Sequence, residues 1–217
     1  MKGRKVHMDN HEKIVFLDID GVMQAYNSDG RFKNLKTIPE LQKELTSKYG
    51  VDYTKYDKYD VGAVYYDWHP KAVSFIRKIL QETGAMVVIS SDWRDEGLDR
   101  MIDFFRLHDM GEYVVDLTPR IGYEERKLLK DKYQDGVSYR TMEILEYVEK
   151  HPHIQRYVAI DDMDLSKGLE GHFVKTSNLI KEAECKKAIG ILNGTEIASD
   201  SSELSHDTDD DAEDWDE

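Results

Sequence analysis

Residues 14–22 read Ile-Val-Phe-Leu-Asp-Ile-Asp-Gly-Val, an apolar run that ends in two carboxylates and a glycine. Four consecutive apolar residues are typical of a strand that is buried on both faces of a parallel sheet. Open parallel sheets bind their ligands at the carboxyl ends of the strands. The run therefore predicts that Asp18 and Asp20 lie at a functional edge. Taken alone, it fits equally well a strand that ends at the surface, where one carboxylate caps the next turn.

Strand-like apolar runs and helix-like patterns alternate along the rest of the chain. The charged stretch at 119–136 shows no periodicity that decides its structure, so no element is predicted there. Strands that alternate with helices are typical of a doubly wound α/β fold, with a parallel sheet and helices on both faces. Further strands are predicted at residues 85–89, 113–117, 157–160 and 173–174, and helices at 70–83, 98–107, from Ser138 to Pro152, and at 183–192.

The chain is predicted to hold one folded domain between two dissimilar termini. We assign an N-terminal extension to residues 1–12, the domain to residues 13–195 and an acidic tail to residues 196–217. From position 200 onward there are ten acidic and no basic residues. Such a segment cannot bury enough apolar surface to offset its ordering entropy, so we expect the tail to be disordered.

Charge and cysteine content narrow the class of protein. The formal net charge is −14 at pH 7, of which the tail accounts for ten, so the rest is only mildly acidic and a phosphate-bearing substrate is not excluded. Cys185 is the only cysteine, which excludes an intramolecular disulfide and fits a reducing compartment. The sequence has no signal peptide pattern and no run of membrane-spanning length. We expect a cytoplasmic protein without a membrane partner.

Polar groups follow three of the predicted strands, and a basic group begins the helix before the last of them. These are Asp18 and Asp20, Ser90, Asp161 and Asp162, and Arg140. A carboxylate such as Asp18 can attack phosphorus in line and form an aspartyl-phosphate. A second carboxylate such as Asp20 can protonate the leaving oxygen and later accept a proton from water. The set therefore suits phosphoryl transfer.

The same groups suit a cation and a phosphate. Mg²⁺ prefers oxygen ligands, and Asp18, the backbone carbonyl of Asp20 and one carboxylate of the later pair would provide them. Ser90 could donate a hydrogen bond to a phosphoryl oxygen. Arg140 would add positive charge near a helix N-terminus, where backbone N–H groups already favour anions. The sequence predicts a magnesium-dependent site.

Three of these segments resemble motifs one, two and four of the haloacid dehalogenase (HAD) superfamily of Mg²⁺-dependent phosphohydrolases. They are FLDIDGV at 16–22, VVISSDWR at 87–94 and VAIDDMD at 158–164. The segments at 68–94 and 138–152 strengthen the similarity to the HAD domains associated with bacterial and phage RNA-repair (Swiss Army Knife) proteins. The resemblance spans about residues 13–192.

The resemblance implies a fold and a set of roles. The fold would be a Rossmann-like, HAD-like sheet, with residues 23–68 as a small cap insertion after the first strand. Asp18 would be the nucleophile and Asp20 the acid/base. Ser90 would bind phosphate, with Ser91 as the less favoured substitute. Asp162 would be the direct metal ligand of the later pair, with Asp161 as its neighbour.

Two features depart from the family pattern or leave alternatives open. Motif three is normally a lysine; Arg140 lies close to where the family's basic residue falls and is preferred, with Lys130 and Lys132 as upstream alternatives. Arg94 either contacts substrate phosphate or pairs with a neighbouring acid, namely Asp92, Asp95 or Asp99.

The aromatic residues are expected to have structural roles. Trp93 is expected to be a packing residue, and the tyrosines of the insertion are expected to pack rather than to stack on a base.

Three functions follow from these observations. We expect a Mg²⁺-dependent phosphomonoester hydrolase that acts on a nucleotide or another small phosphorylated metabolite. The family branch suggests a nucleic-acid end-healing phosphatase as an alternative, although no basic stripe with interleaved aromatic residues is evident. A catalytically silent binding module is the third interpretation, against which the presence of both Asp18 and Asp20 speaks.

Overall fold

A five-stranded, all-parallel sheet forms the centre of the protein in the computed structural model, which describes residues 11–133 and 135–195. The strands are β1 (Lys13–Leu17), β2 (Met86–Ile89), β3 (Val114–Leu117), β4 (Arg156–Asp161) and β5 (Phe173–Lys175). Their order across the sheet is β3-β2-β1-β4-β5. The α/β fold predicted from the sequence is confirmed. The acidic tail predicted at 196–217 lies outside the described residues.

The position of β1 in the middle of the sheet brings the predicted site residues together. Leu17 is level with Ile89 of β2 on one side and with Ile160 of β4 on the other. The chain runs from β1 towards one edge and returns to β4 on the other side, so the strand order reverses between β1 and β4. Such a reversal opens a crevice at the carboxyl ends of the strands.

Eight α-helices are found among the described residues. They are α1 (Gly30–Lys33), α2 (Ile38–Tyr49), α3 (Lys58–Gly62), α4 (Pro70–Thr83), α5 (Leu98–Arg106), α6 (Tyr123–Lys132), α7 (Tyr139–Lys150) and α8 (Glu182–Asn193). None of these helices has the length and apolar character that crossing a membrane requires.

Both faces of the sheet are covered, as its apolar strands require. Val15 and Leu17 point into a core that includes buried residues of α4, α5 and α8. Ile14 and Phe16 point to the opposite face, where they pack against α7. Alternate side chains of β1 are therefore buried on opposite sides, which explains why its sequence is apolar throughout.

The helix α6 was not predicted, because its sequence shows no sustained apolar face. Of its two adjacent leucines, Leu128 is exposed, whereas Leu129 is buried in a small cluster with Ile121 and Met142. A contact of this kind with α7 stabilises a short helix that local sequence does not reveal.

The insertion at residues 23–68 packs against α5. Tyr53 is fully buried and donates a hydrogen bond through its hydroxyl to the backbone oxygen of Asp103 at 2.7 Å. The hydroxyl of Tyr56 donates to the carboxylate of the same residue at 2.7 Å. These two tyrosines are packing residues, whereas Tyr65 is exposed.

His108 ties the insertion to the end of α5 and makes the stability of the fold depend on pH. Its Nε2 lies 2.8 Å from the backbone oxygen of Val64, and its ring stacks on Trp68. Burial lowers the pKa of His108. An unfolded histidine takes up a proton below about pH 6.5, and the buried one resists it. The free energy of unfolding should therefore fall as the pH decreases below about 6.5, by up to about 1.4 kcal/mol per unit of pH.

Thermal unfolding of His108→Gln between pH 5 and pH 8 measures this effect. The variant should lose much of the fall in stability at acid pH that the wild type shows. His69→Gln, which removes an exposed imidazole, serves as the control and should keep the wild-type profile. Parallel profiles for the wild type and His108→Gln would contradict the assignment.

Candidate active site

Asp18 lies directly after β1, at the crevice where the strand order reverses. Its backbone N–H donates to the oxygen of Ile160 at 3.0 Å, which holds it level with the end of β4. Only 4% of the residue is exposed. Burial raises the pKa of Asp18, and the positive charge of Arg140 opposes that rise.

Arg140 forms salt bridges with Asp18, which follows β1, and with Asp161 at the end of β4. Its Nη1 lies 2.9 Å from Oδ2 of Asp18 and 2.9 Å from Oδ2 of Asp161. Arg140 belongs to the first turn of α7, and the cap residue Ser138 accepts a hydrogen bond from the N–H of Thr141 at 3.0 Å. The cap fixes where the helix begins and so places the guanidinium over both carboxylates.

Asp18, Asp161 and Asp162 form an acidic cluster in which one oxygen of each lies within 4.8 Å of the others. Burial, and secondly the negative charge of Asp18, raises the pKa of Asp161 to about 7. An all-oxygen set of carboxylates suits a hard cation such as Mg²⁺. A single guanidinium leaves negative charge in this buried place, so the donor set fits a metal ion.

Asp162 is held against the backbone of Gly21 and against Tyr26. The hydroxyl of Tyr26 donates to Oδ2 of Asp162. Gly21 has a φ of 72°, and a Cβ at this position would lie 2.7 Å from both the Cβ of Asp162 and the hydroxyl oxygen of Tyr26. The glycine of the opening motif therefore allows the loop after β1 to approach the loop after β4.

The side chain of Asp20 stands apart from the acidic cluster. Its Oδ1 accepts a hydrogen bond from Nε2 of Gln24 at 2.8 Å, and its Oδ2 accepts one from Nε1 of Trp93 at 3.0 Å. Both oxygens are thus oriented by neutral donors rather than by the cluster. The expectation that Asp20 contributes only its backbone oxygen to a metal stays a prediction.

The two serines after β2 differ in their relation to Asp18. Both are buried, and neither hydroxyl has a hydrogen-bond partner among the described residues. The hydroxyl of Ser91 nevertheless approaches Asp18 closely enough to lower the pKa of that carboxyl. The choice between Ser90, which the family resemblance favours, and Ser91 as the phosphate-binding hydroxyl stays a prediction.

Lys132, one of the two alternative basic residues, is paired away from Asp18. Lys132 contacts Glu146 at 2.6 Å and also Glu149, both on α7. Nothing is described of the side chain of Lys130. Among the residues whose side chains are described, Arg140 is the cation paired with Asp18.

Arg94 takes none of the three acidic partners proposed from the sequence. It is buried and forms a salt bridge with Glu143 of α7, while its Nη1 donates to the oxygen of Ser91 at 3.2 Å. Asp92 and Asp95 pair with Arg120 instead. The neighbours in sequence were the wrong partners because Glu143, 49 positions away, reaches the same place through the fold.

Trp93 is a packing residue, as expected, and it also donates a hydrogen bond to Asp20. Its ring makes edge contacts with Trp68 and Phe104, at centroid distances of 6.1 and 6.2 Å. The hydrogen bond of its indole to Asp20 was not predicted from the sequence. The sequence could have indicated this contact, because Trp93 closely follows the two serines after β2, and β2 is the neighbour of β1 in the sheet.

A parallel α/β sheet with an aspartate pair after its first strand and an acidic cluster at the same edge defines the class as a HAD-superfamily domain. A family model described as "HAD domain in Swiss Army Knife RNA repair proteins" matches residues 14–180. The chain belongs to this family of HAD domains. No curated protein and no solved structure matches the chain. The family suggests a phosphatase-type hydrolase.

The contact between Gly21 and Asp162 can be tested by cation-dependent stability. Mg²⁺ at a hundredfold excess over Kd is expected to stabilise the wild type by about 2.7 kcal/mol. Gly21→Ala should lose this stabilisation, because the new Cβ would displace Asp162. Thermal unfolding with and without Mg²⁺ measures it. Gly171→Ala is the matched control: Gly171 has a φ of 76°, but nothing lies within 4 Å of an added Cβ. That variant should be destabilised yet keep its response to Mg²⁺, and an unchanged response in Gly21→Ala would rule out the proposed crowding.

Proposed function

We propose that this protein is a Mg²⁺-dependent phosphomonoester hydrolase that acts through an aspartyl-phosphate on a nucleotide or another small phosphorylated metabolite. The observation that carries the proposal is the buried Asp18, which pairs with Arg140 and belongs to an acidic cluster with Asp161 and Asp162. The family, which suggests a phosphatase-type hydrolase, supports it.

The reaction is proposed to proceed in two displacements at phosphorus. A carboxylate oxygen of Asp18 attacks phosphorus and forms an acyl-phosphate bond while the ester P–O bond breaks. Asp20 gives its proton to the leaving alkoxide, which departs as the alcohol. Asp20 then takes a proton from water, and the resulting hydroxide attacks phosphorus. Inorganic phosphate leaves and the Asp18 carboxylate is restored.

The remaining polar groups are proposed to bind the transferred phosphoryl group. Arg140 supplies positive charge, and a serine hydroxyl donates a hydrogen bond; the sequence favours Ser90 for this role, and the effect on Asp18 favours Ser91. Mg²⁺, held by Asp18, Asp162 and the adjacent Asp161, with the backbone oxygen of Asp20 as a further ligand, would reduce the repulsion between the nucleophile and a phosphate dianion.

A nucleic-acid end is the second candidate substrate. The description of the family names RNA repair proteins, which supports a phosphatase that heals a phosphorylated end. The two candidates share the same chemistry at Asp18 and differ in what is attached to the phosphate.

Phosphate release from para-nitrophenyl phosphate tests the role of Asp18. Asp18→Asn should lower kcat/KM by at least about a thousandfold, because the amide cannot form the acyl-phosphate. Chelation of the divalent cation should abolish wild-type turnover. Asp164→Asn is the control: Asp164 lies in the same segment as Asp161 but is exposed, and its hydrogen bonds among the described residues go to Ser166. Metal-dependent turnover by Asp18→Asn would refute the mechanism.

The hydrogen bond from Trp93 to Asp20 predicts a dependence on the leaving group. Trp93→Phe keeps an aromatic ring but removes the N–H that orients the acid. Alkyl phosphates require protonation of their leaving group, whereas p-nitrophenolate leaves with little help. A hydrogen bond to a charged group contributes about 1.5–3 kcal/mol, so kcat for an alkyl phosphate should fall at least about tenfold more than kcat for para-nitrophenyl phosphate.

A second tryptophan offers the matched control for this experiment. The indole nitrogen of Trp68 is buried without a hydrogen-bond partner among the described residues. Trp68→Phe therefore removes ring volume and an N–H, but no hydrogen bond to a carboxylate. Trp68→Phe should lower kcat by the same factor for the alkyl phosphate and for para-nitrophenyl phosphate. If Trp93→Phe also slows both equally, Trp93 is a packing residue only.

A further inference from the structure

A cleft of about 470 Å³ adjoins Asp18 and is lined by four arginines. They are Arg94, Arg120, Arg126 and Arg140. Arg140 is shared between the cleft and the acidic cluster, because its Nη1 contacts Asp18. The cleft therefore includes a side chain that contacts Asp18 directly, so a ligand in the cleft and a phosphate at Asp18 would share Arg140.

Arg126 is the cation in this cleft that is open to a ligand. Its Nε donates to the backbone oxygen of Ile121 at 2.9 Å, and its guanidinium lies 4.3 Å from the centroid of the Tyr139 ring. Within residues 11–133 and 135–195, no carboxylate forms a salt bridge with it. Its side chain is oriented by a carbonyl and a ring, while its charge is not neutralised.

Arg120 is paired, but only with exposed groups. It contacts Asp92 at 2.9 Å and Asp95 at 2.8 Å, and all three side chains are exposed. Its guanidinium holds Asp95 through two parallel hydrogen bonds of 2.8 Å, from Nε and Nη2. A phosphate accepts the same pair of hydrogen bonds and carries more negative charge, so it can compete with this exposed, solvent-screened carboxylate. Arg120 and Arg126 come from the segment after β3 and from α6, and together they provide two guanidinium forks.

Arg94 closes the inner end of the cleft. It is buried against Glu143, yet its Nε–H has no hydrogen-bond partner among the described residues. A buried donor without a partner is costly unless a ligand or water satisfies it. The cleft thus contains three groups that can bind an anion. The charge of Arg126 is not neutralised by a described carboxylate, the carboxylate partners of Arg120 can be displaced, and the buried Nε–H of Arg94 has no partner among the described residues.

We propose that this cleft binds a second phosphate group of the substrate while the first lies at Asp18. Guanidinium forks match the geometry of phosphate oxygens and bind them through paired hydrogen bonds. The inference rests on the proposed phosphatase function and narrows its substrate to molecules with two phosphates. The second phosphate can come from a nucleoside bisphosphate or from the phosphodiester next to a phosphorylated nucleic-acid end.

Steady-state kinetics with three substrates test the proposal and separate the two sources. They are a nucleoside 5′-monophosphate, the corresponding 3′,5′-bisphosphate and a 5′-phosphorylated oligonucleotide. The wild type should show a KM at least about tenfold lower for the bisphosphate, the oligonucleotide or both than for the monophosphate. An advantage for the bisphosphate alone identifies a free nucleotide, and one for the oligonucleotide identifies a phosphodiester. Equal KM values for all three would overturn the proposal.

Two variants on α6 assign the effect to the cleft. Arg126→Gln should remove most of the advantage of the substrates with two phosphates. Lys127→Gln changes the same charge one position along; Lys127 is exposed and pairs with Glu124. This control should keep the wild-type ratio of KM values. A ratio that survives in Arg126→Gln would contradict the role of the cleft.

A binding measurement keeps this inference separate from the proposed function. Binding of the bisphosphate to Asp18→Asn can be measured by isothermal titration calorimetry, which requires no turnover. The double variant Asp18→Asn/Arg126→Gln should bind at least about tenfold more weakly. Absence of turnover on every phosphate ester would reject the proposed function, and equal binding by the single and double variants would reject the phosphate cleft.

Discussion

Arg140 holds two buried carboxylates, Asp18 and Asp161, on a single nitrogen, and the site depends on this shared ion pair. Burial raises the pKa of both acids; the negative charge of Asp18 adds to the rise at Asp161, and that of Asp162 adds to the rise at Asp18. One guanidinium offsets only part of this cost, because a buried ion pair must overcome the desolvation of every member. The remaining negative charge gives the cluster its capacity for a divalent cation and ties metal binding to the same two strands.

The fold produces this arrangement through the order of its strands. β1 and β4 are neighbours in space although about 140 residues separate them in sequence, and their matched register sets Asp18 beside the end of β4. The helix α7 supplies Arg140 from the opposite side of the crevice. Gly21 then lets the loop after β1 come close enough for Asp162 to join the cluster. Three parts of the chain that are distant in sequence thus contribute the charges of one site: the end of β1 gives Asp18, the end of β4 gives Asp161 and Asp162, and α7 gives Arg140.

The sequence predicted those features that depend on local pattern. Apolar runs gave the five strands, and the carboxylates at their ends gave the cluster, because parallel strands end at a common edge. Sequence patterns did not predict the features that depend on contacts between residues distant along the chain. The charged helix α6 is stabilised by Leu129 against α7, Arg94 pairs with Glu143, and Trp93 orients Asp20. The choice between Ser90 and Ser91 stays a prediction, because both hydroxyls are buried without a hydrogen-bond partner among the described residues.

The central claim is that Asp18 becomes covalently phosphorylated during turnover. Acid quenching of the full-length protein during hydrolysis of a phosphomonoester with Mg²⁺, followed by peptide mapping in a mass spectrometer, tests it most directly. A hydroxylamine-sensitive phosphoryl group is expected on the peptide that contains Asp18, and on no other peptide. Turnover accompanied by a phosphoryl group on a different residue would contradict it.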